Sequence, residues 1–261
     1  MKCKIVIIFI LLVTLAYWQS VFVTSSIKDS YRYLRHGGLT DSFELGQYYF
    51  NHGDQADGKY NLEKARQFFG EALEKNPEGN KLAWHQLGRI DFLEGEFDEA
   101  IYKFEKQIEY FGDQIPNVYY MLGLTYGYQA RDTGYEIAWQ NAEENFIKYL
   151  SYDPLSPWAR VDLGWIYFAQ GKYELMVDLL EVGLTYHPDN PWLLNMYGLA
   201  LLNTGEPDKA RQYFIWAQSA ADQLTIEEWG ESYPGNDPDV WGRGLGEFRE
   251  IIAKNIELTA N

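Results

Sequence analysis

The sequence predicts an all-α fold, a curved solenoid of about five helical hairpins followed by a C-terminal capping helix. A Leu-Gly or Tyr-Gly pair recurs along the chain, and its glycines are spaced by 42, 35, 41 and 34 residues from Gly46 to Gly198. In the tightest copies a small or flexible residue follows twelve positions later, as Ala100 follows Gly88, and a large apolar residue such as Phe104 comes four positions after that. The composition agrees, because 46% hydrophobic and 23% charged residues support a packed core. Units of this kind bury their apolar faces only against their neighbours, so they stack in a row.

The first predicted element is a membrane segment. Residues 5–27 carry no charge, whereas Lys2 and Lys4 precede them and Lys28 follows. About 20 apolar residues span a hydrocarbon core, so we interpret residues 1–27 as a transmembrane signal anchor. The alternative is a signal peptide that is cleaved, after which the protein is secreted. Residues 28–38 then form a linker.

The charges around this segment predict its orientation. A short basic amino end tends to stay in the cytoplasm, which would export the rest of the chain to a bacterial periplasm or to the cell surface. Lys28, Arg32 and Arg35 oppose this orientation, because they place comparable positive charge on the other side. The chain contains no Asn-x-Ser/Thr sequon, which favours a prokaryotic source.

Residues 39–224 contain the repeats themselves. The segment that begins at Trp84 and runs through Gly88 and Ala100 to Phe104 resembles a tetratricopeptide repeat, and five in-phase copies share its pattern. The resemblance implies a right-handed superhelical solenoid that binds proteins or peptides on its concave face. It also implies a scaffold without enzymatic activity.

Two copies depart from the common spacing in the same way. In the first and third copies the distance from the repeat glycine to the small residue is 19 instead of 12. Seven residues make about two helical turns, so an insertion of this length keeps the helix faces in phase. In the third copy we expect both helices to be extended around a turn at residues 132–134. In the first copy, residues 53–59 are rich in Gly and Asp, which predicts a longer loop.

Residues 225–261 combine an acidic segment that contains Gly and Pro with a final helix. The pair Asp237-Pro238 has the sequence of an N-cap followed by proline at the first helical position. From Trp241 onwards, apolar residues at helical spacing share one face, which predicts a capping helix over residues 239–258.

The resemblance places the ligand surface on the first helix of each repeat, at its positions 2, 5, 9, 12 and 13. The candidate partner-binding residues are Phe43, His85, Arg89, Phe92, Tyr120, Tyr128, Trp158, Trp165, Phe168, Trp192 and Asn195. Arg89 is the only charged residue among these positions, so a clamp for a terminal carboxylate is not expected. We expect instead an apolar aromatic groove for a helix or an extended peptide. This groove is either open or already filled by Trp229, Tyr233 and the terminal helix.

Charge and motifs exclude several classes of function. The 38 acidic and 22 basic residues give a net charge of -16, which argues against a nucleic-acid-binding protein. The acid is expected on the outer surfaces, so that a basic partner would fit only the rim or the convex side. Cys3 is the only cysteine, and the four histidines are separated along the chain without a catalytic or metal-binding spacing. We therefore expect no enzymatic activity, no cofactor and no metal site.

These observations predict a membrane-anchored adaptor that mediates protein–protein interaction through its aromatic groove. The alternative is a structural subunit that is fixed permanently in a membrane or cell-envelope assembly, with the groove filled by the protein itself. Both hypotheses share the repeat fold and differ in whether the groove is free.

Overall fold

The computed structural model describes residues 41–51, 61–76, 80–232 and 240–259. All regular structure within these ranges is helical, with twelve α-helices and one short 3₁₀-helix. The predicted all-α solenoid is therefore confirmed. The predicted membrane segment, the linker, the loop at residues 53–59, Tyr233 and the Asp237-Pro238 pair lie outside the described residues. None of the described helices is both long enough and apolar enough to cross a bilayer.

The described chain divides into two compact units, one up to Lys75 and one from Asn76 onwards. The first unit contains helix α1 (Ser42–Asn51) and helix α2 (Leu62–Lys75). A Cβ atom added to Gly46 of α1 would lie 2.5 Å from the ring of Phe69 on α2, so the glycine lets the two helices approach closely. This unit is the hairpin expected for the first repeat.

The second unit contains four helical hairpins and two further helices. Its helices are α3 (Ala83–Glu94), α4 (Phe97–Phe111), α5 (Asn117–Thr133), α6 (Glu136–Tyr152), α7 (Pro157–Ala169), α8 (Tyr173–Tyr186), α9 (Pro191–Asn203), α10 (Pro207–Gln223), α11 (Ile226–Ser232) and α12 (Trp241–Leu258). The pairs α3/α4, α5/α6, α7/α8 and α9/α10 correspond to the second to fifth predicted repeats.

Glycines turn the chain between the two helices of each hairpin in this unit. Gly95, Gly134, Gly171 and Gly205 have φ angles of 82°, 72°, 69° and 86°, in the left-handed region that glycine adopts without a steric penalty. Gly134 ends α5, and α5 and α6 each contain 17 residues. The predicted extension of both helices of the third copy around residues 132–134 is therefore confirmed.

Two of the first helices begin with a side-chain cap followed by proline. The Asn190 side chain accepts a hydrogen bond from the Leu193 amide at 2.9 Å, and Pro191 occupies the first turn of α9. Ser156 and Pro157 play the same parts at the start of α7. An amide in the first turn has no partner within the helix, so proline, which has no amide hydrogen, leaves no donor unpaired there. The cap and the proline together fix where each helix begins.

The core of each hairpin is built on the repeat glycine of its first helix and a large apolar residue of its second. Phe104, Phe146 and Phe214 are fully buried against Gly88, Gly123 and Gly198. In the fourth copy this aromatic residue is replaced by Leu180, which leaves more space at the glycine.

The C-terminal capping helix of the predicted fold is present as α12, which packs on α10. Asn255 of α12 donates a buried hydrogen bond of 2.9 Å to the Asn195 side chain of α9. Arg249 donates to the carbonyl oxygens of Ala221, Asp222 and Leu224 at the end of α10. A cation at these otherwise unpaired carbonyls stabilises the helix end and fixes α12 in place.

Candidate partner-binding groove

A groove of about 690 Å³, here called the central groove, lies on the second unit. The first helices α3, α5 and α7 supply most of its lining, together with single residues of the second helices α4 and α6, the start of α9 and the end of α11. It is lined by Arg89, Phe92, Leu93, Glu94, Gly95, Phe97, Asn117, Tyr120, Met121, Leu124, Tyr128, Arg131, Tyr149, Ser156, Trp158, Val161, Asp162, Trp192, Glu231 and Ser232.

Six of the candidate residues named from the sequence come together here. They are Arg89, Phe92, Tyr120, Tyr128, Trp158 and Trp192. The repeat register brings them together, because equivalent positions of successive first helices point to the same side of a stacked array.

Three other candidates are engaged in packing and do not line the central groove. His85 is 4% exposed, and burial together with the nearby Arg89 charge lowers its pKa to about 3. Asn195 is buried at the hydrogen bond with Asn255. Trp165 packs against the rings of Tyr128 and Trp139, 5.3 and 5.8 Å away.

Two candidates lie elsewhere. Phe43 belongs to the first unit, where its ring is 5.4 Å from that of Phe69. Phe168 sits at the end of α7, is 36% exposed, and contacts Tyr173 at the start of α8. Neither side chain contributes to the central groove.

One wall of the groove is a cluster of aromatic rings from α3, α4 and α5. The ring of Tyr128 lies 5.3 Å from Phe92 and 6.1 Å from Phe97, and the Arg131 guanidinium lies 4.7 Å above it. Phe97 was not a candidate, because it belongs to a second helix. Its place two positions after the turn glycine Gly95 is the sequence signal that would have found it.

At the other end of the central groove, the C-terminal segment of the protein covers aromatic residues of the repeats. Trp192 contacts Trp158 at 4.8 Å, and Trp229 and Phe248 stack on it at 5.6 and 5.4 Å. Trp192 and Trp229 are only 7% and 8% exposed. The C-terminal segment therefore fills this end, while the volume beside α3, α5 and α7 stays open.

The central groove contains acid, contrary to the expectation that all acid lies on the outer surfaces. Asp162 lies inside it, and Glu94 and Glu231 also line it. The Tyr120 hydroxyl donates a 2.5 Å hydrogen bond to Asp162 Oδ2. Burial raises the pKa of Asp162 to about 6, although this hydrogen bond opposes the shift. Asp162 was missed because it occupies position 6 of its repeat, one helical turn after Trp158.

The geometry of the groove has the features of a binding surface. Among the described residues, no group of three or more His, Cys, Asp or Glu side chains is placed to hold a metal ion. What the groove offers is a rigid helical frame, aromatic faces and a few charges, which are the features of a protein- or peptide-binding surface.

Comparison with known proteins agrees with the repeat register. Residues 179–212, from the middle of α8 to the first turns of α10, match the family model of the tetratricopeptide repeat. No curated protein sequence matches the chain.

Similar solved structures share the fold. PilW, a widely conserved type IV pilus biogenesis factor, is 17% identical with a TM-score of 0.56, and the match covers 84% of this chain and 88% of PilW. A thermophilic TPR protein of Thermus thermophilus, TTC0263, is 18% identical with a TM-score of 0.53, covering 70% and 91%. YrrB, a TPR protein with an unusual peptide-binding site, is 18% identical with a TM-score of 0.50, covering 62% and 79%. Together with the matched repeat, these structures agree with a fold of stacked hairpins similar to tetratricopeptide repeats.

Proposed function

We propose that this protein is a membrane-anchored, non-catalytic scaffold that binds a segment of another protein in the central groove. The observation that carries the proposal is an open volume of about 690 Å³ bordered by half-buried Phe92, Tyr128 and Trp158 on packed helices. Burying such aromatic surface against a partner is favourable, and rigid helices hold the rings ready without a further loss of entropy. YrrB, which is similar in fold, carries an unusual peptide-binding site, in agreement with this function.

A photo-crosslinking experiment in the native membrane tests the proposal. Asn117 is exposed and lines the central groove, so p-benzoylphenylalanine at this position should form a covalent adduct with the bound partner. Tyr135 is the matched control, because it is 65% exposed and does not line the groove. We expect an adduct from position 117 and none of the same mass from position 135. Adducts from position 135 alone would place the binding surface outside the groove.

The proposed anchor is the uncharged run of residues 5–27, which is bounded by lysines. It would hold the repeats at the extracytoplasmic side of a bacterial membrane, and cleavage after it would secrete them. Detergent extraction followed by native mass measurement distinguishes the two, because only the uncleaved chain has the full mass of 30.4 kDa.

A second candidate is a structural subunit that is fixed permanently in an envelope assembly. Its supporting observation is the coverage of Trp192 by Trp229 and Phe248, which leaves one end of the groove filled. In the same mass measurement, a permanent subunit should leave the membrane in a complex of constant stoichiometry. A scaffold that exchanges its partners should be recovered largely as the free chain, and that result would exclude the second candidate.

A further inference from the structure

Asp162 is a carboxylate inside the central groove that has no cationic partner in the described part of the chain. Its Oδ2 accepts the hydrogen bond from Tyr120, and no described lysine or arginine forms an ion pair with it. The side chain is half-buried and lies beside Trp158 and Val161 on the groove surface of α7. One negative charge is thus held partly away from water with a single tyrosine hydroxyl as its donor.

Two other acids that are buried or half-buried are treated differently. Asp91 is 2% exposed, and the Lys103 ammonium forms an ion pair with it within the second repeat. The half-buried Glu143 is likewise paired with Lys172 at 2.7 Å. A buried charge is unfavourable without a partner, which explains why these acids have lysines. Among the described residues, Asp162 has no such cation, and it faces an open volume, so the positive charge has room to come from a partner.

The surroundings of Asp162 suit the head group of a basic side chain. Tyr120, Tyr128 and Trp158 line the groove around it, and aromatic rings attract ammonium and guanidinium groups. Arg131, the cation over the Tyr128 ring, is already engaged by Asp132 at 2.8 Å. Three acidic residues, Glu94, Asp162 and Glu231, and two basic ones line the groove, and the whole chain has a net charge of -16. Both the local and the overall charge attract a cationic partner.

We propose that the central groove selects a partner segment in which one lysine or arginine side chain, flanked by apolar or aromatic residues, pairs with Asp162. The inference rests on the function proposed above and adds the chemistry of the partner. The flanking residues would contact the aromatic wall of Phe92 and Tyr128, while Tyr120 keeps the Asp162 carboxylate oriented. This proposal places the basic residue of the partner inside the groove, whereas the sequence alone predicted that a basic partner would fit only the rim or the convex side.

Selection of peptides from a random displayed library against the full chain in detergent tests this. Bound peptides should carry a lysine or arginine next to apolar or aromatic residues. For a selected peptide, Asp162→Asn should weaken binding roughly tenfold or more, because a charge-assisted hydrogen bond is lost while the side-chain shape and the acceptor for Tyr120 remain. Asp178→Asn is the matched control, since Asp178 is exposed on α8 outside the groove, and it should leave binding unchanged.

A change in the peptide completes a double-mutant cycle between Asp162 and the basic residue of the peptide. Replacing the basic residue of the peptide by norleucine should weaken binding to the wild-type chain and have little further effect on Asp162→Asn. Additive losses, or selected peptides that lack basic residues, would overturn the pairing while leaving the groove as a peptide-binding site. If no peptide is enriched and position 117 gives no adduct, the proposed function fails and the inference fails with it.

Discussion

Replacing Gly198 by alanine should lower the free energy of unfolding by about 2 kcal/mol, a typical effect of inserting a methyl group into a packed core. The added Cβ would lie 2.5 Å from Cε1 of Phe214, which is fully buried. The ring cannot move away without displacing its own neighbours, so α9 and α10 must separate. The gain in helix propensity from glycine to alanine, about 1 kcal/mol, offsets only part of this loss.

Gly164→Ala is the matched control, since Gly164 occupies the same place in the preceding repeat. Its added Cβ would meet Leu180 at 3.5 Å, an ordinary van der Waals contact. This variant should therefore be neutral or up to about 1 kcal/mol more stable than the wild type, because only the helix-propensity term remains. Thermal unfolding followed by circular dichroism measures both variants. Equal losses at the two sites would show that the contact of glycine with the aromatic ring is not what limits the hairpin.

The difference between the residues that face Gly198 and Gly164 can be predicted from the sequence. The residue facing each repeat glycine lies 16 positions after it in the tight copies, as Phe214 follows Gly198, and Leu180 stands at that place in the fourth copy. In the third copy the distance from Gly123 to Phe146 is 23, so the seven-residue insertion shifts the partner by two turns and keeps the contact. Hairpins, turns and core contacts follow from such local spacing, which is why the fold was predictable.

The groove was predictable only in part. Positions carried over from the repeat pattern identified Phe92, Tyr128 and Trp158, because repeat register alone aligns them. The covering of Trp192 by Trp229 depends on how the chain returns after the last repeat, and no repeat pattern encodes that return. The burial of Asp162 depends on the size of its neighbours on two helices. Contacts of this kind arise from packing between elements, and spacing along one helix does not report them.

Replacing Asp162 by asparagine should make the protein more stable at pH 7.5, in contrast to most substitutions of a residue with a buried hydrogen bond. The pKa of Asp162 is raised from 3.8 to about 6, which means that the folded protein disfavours the charged carboxylate. Asparagine has the same shape, can still accept the hydrogen bond from Tyr120, and carries no charge. Each pKa unit corresponds to about 1.4 kcal/mol, so after allowance for solvent screening we expect a gain of about 1–2 kcal/mol.

The pH dependence of this gain follows from the direction of the shift. Below pH 3.8 the carboxyl is neutral in both the folded and the unfolded chain, so wild type and variant should have similar stability. Between 3.8 and about 6 the folded protein retains a proton that the unfolded chain releases, and wild-type stability falls as the pH rises. Above about pH 6 the carboxyl is charged in both the folded and the unfolded chain, so the stability of the wild type relative to the variant has reached its lowest value. Tyr120 and Tyr128 face Asp162 from α5, and burial raises the pKa of Tyr128 above its ordinary value of 10, so Tyr128 does not titrate in this range.

The difference in free energy of unfolding between wild type and Asp162→Asn, measured from pH 3.5 to 7.5, tests this directly. Asp178→Asn again serves as the control, because Asp178 is exposed and lies outside the central groove. A variant less stable than wild type at pH 7.5 would mean that the carboxylate supports the fold, and the case for a bound cation would be lost. A more stable variant that binds basic peptides poorly would show that Asp162 lowers the stability of the free protein and stabilises its complex. In the complex, a cation of the partner would pair with the Asp162 carboxylate.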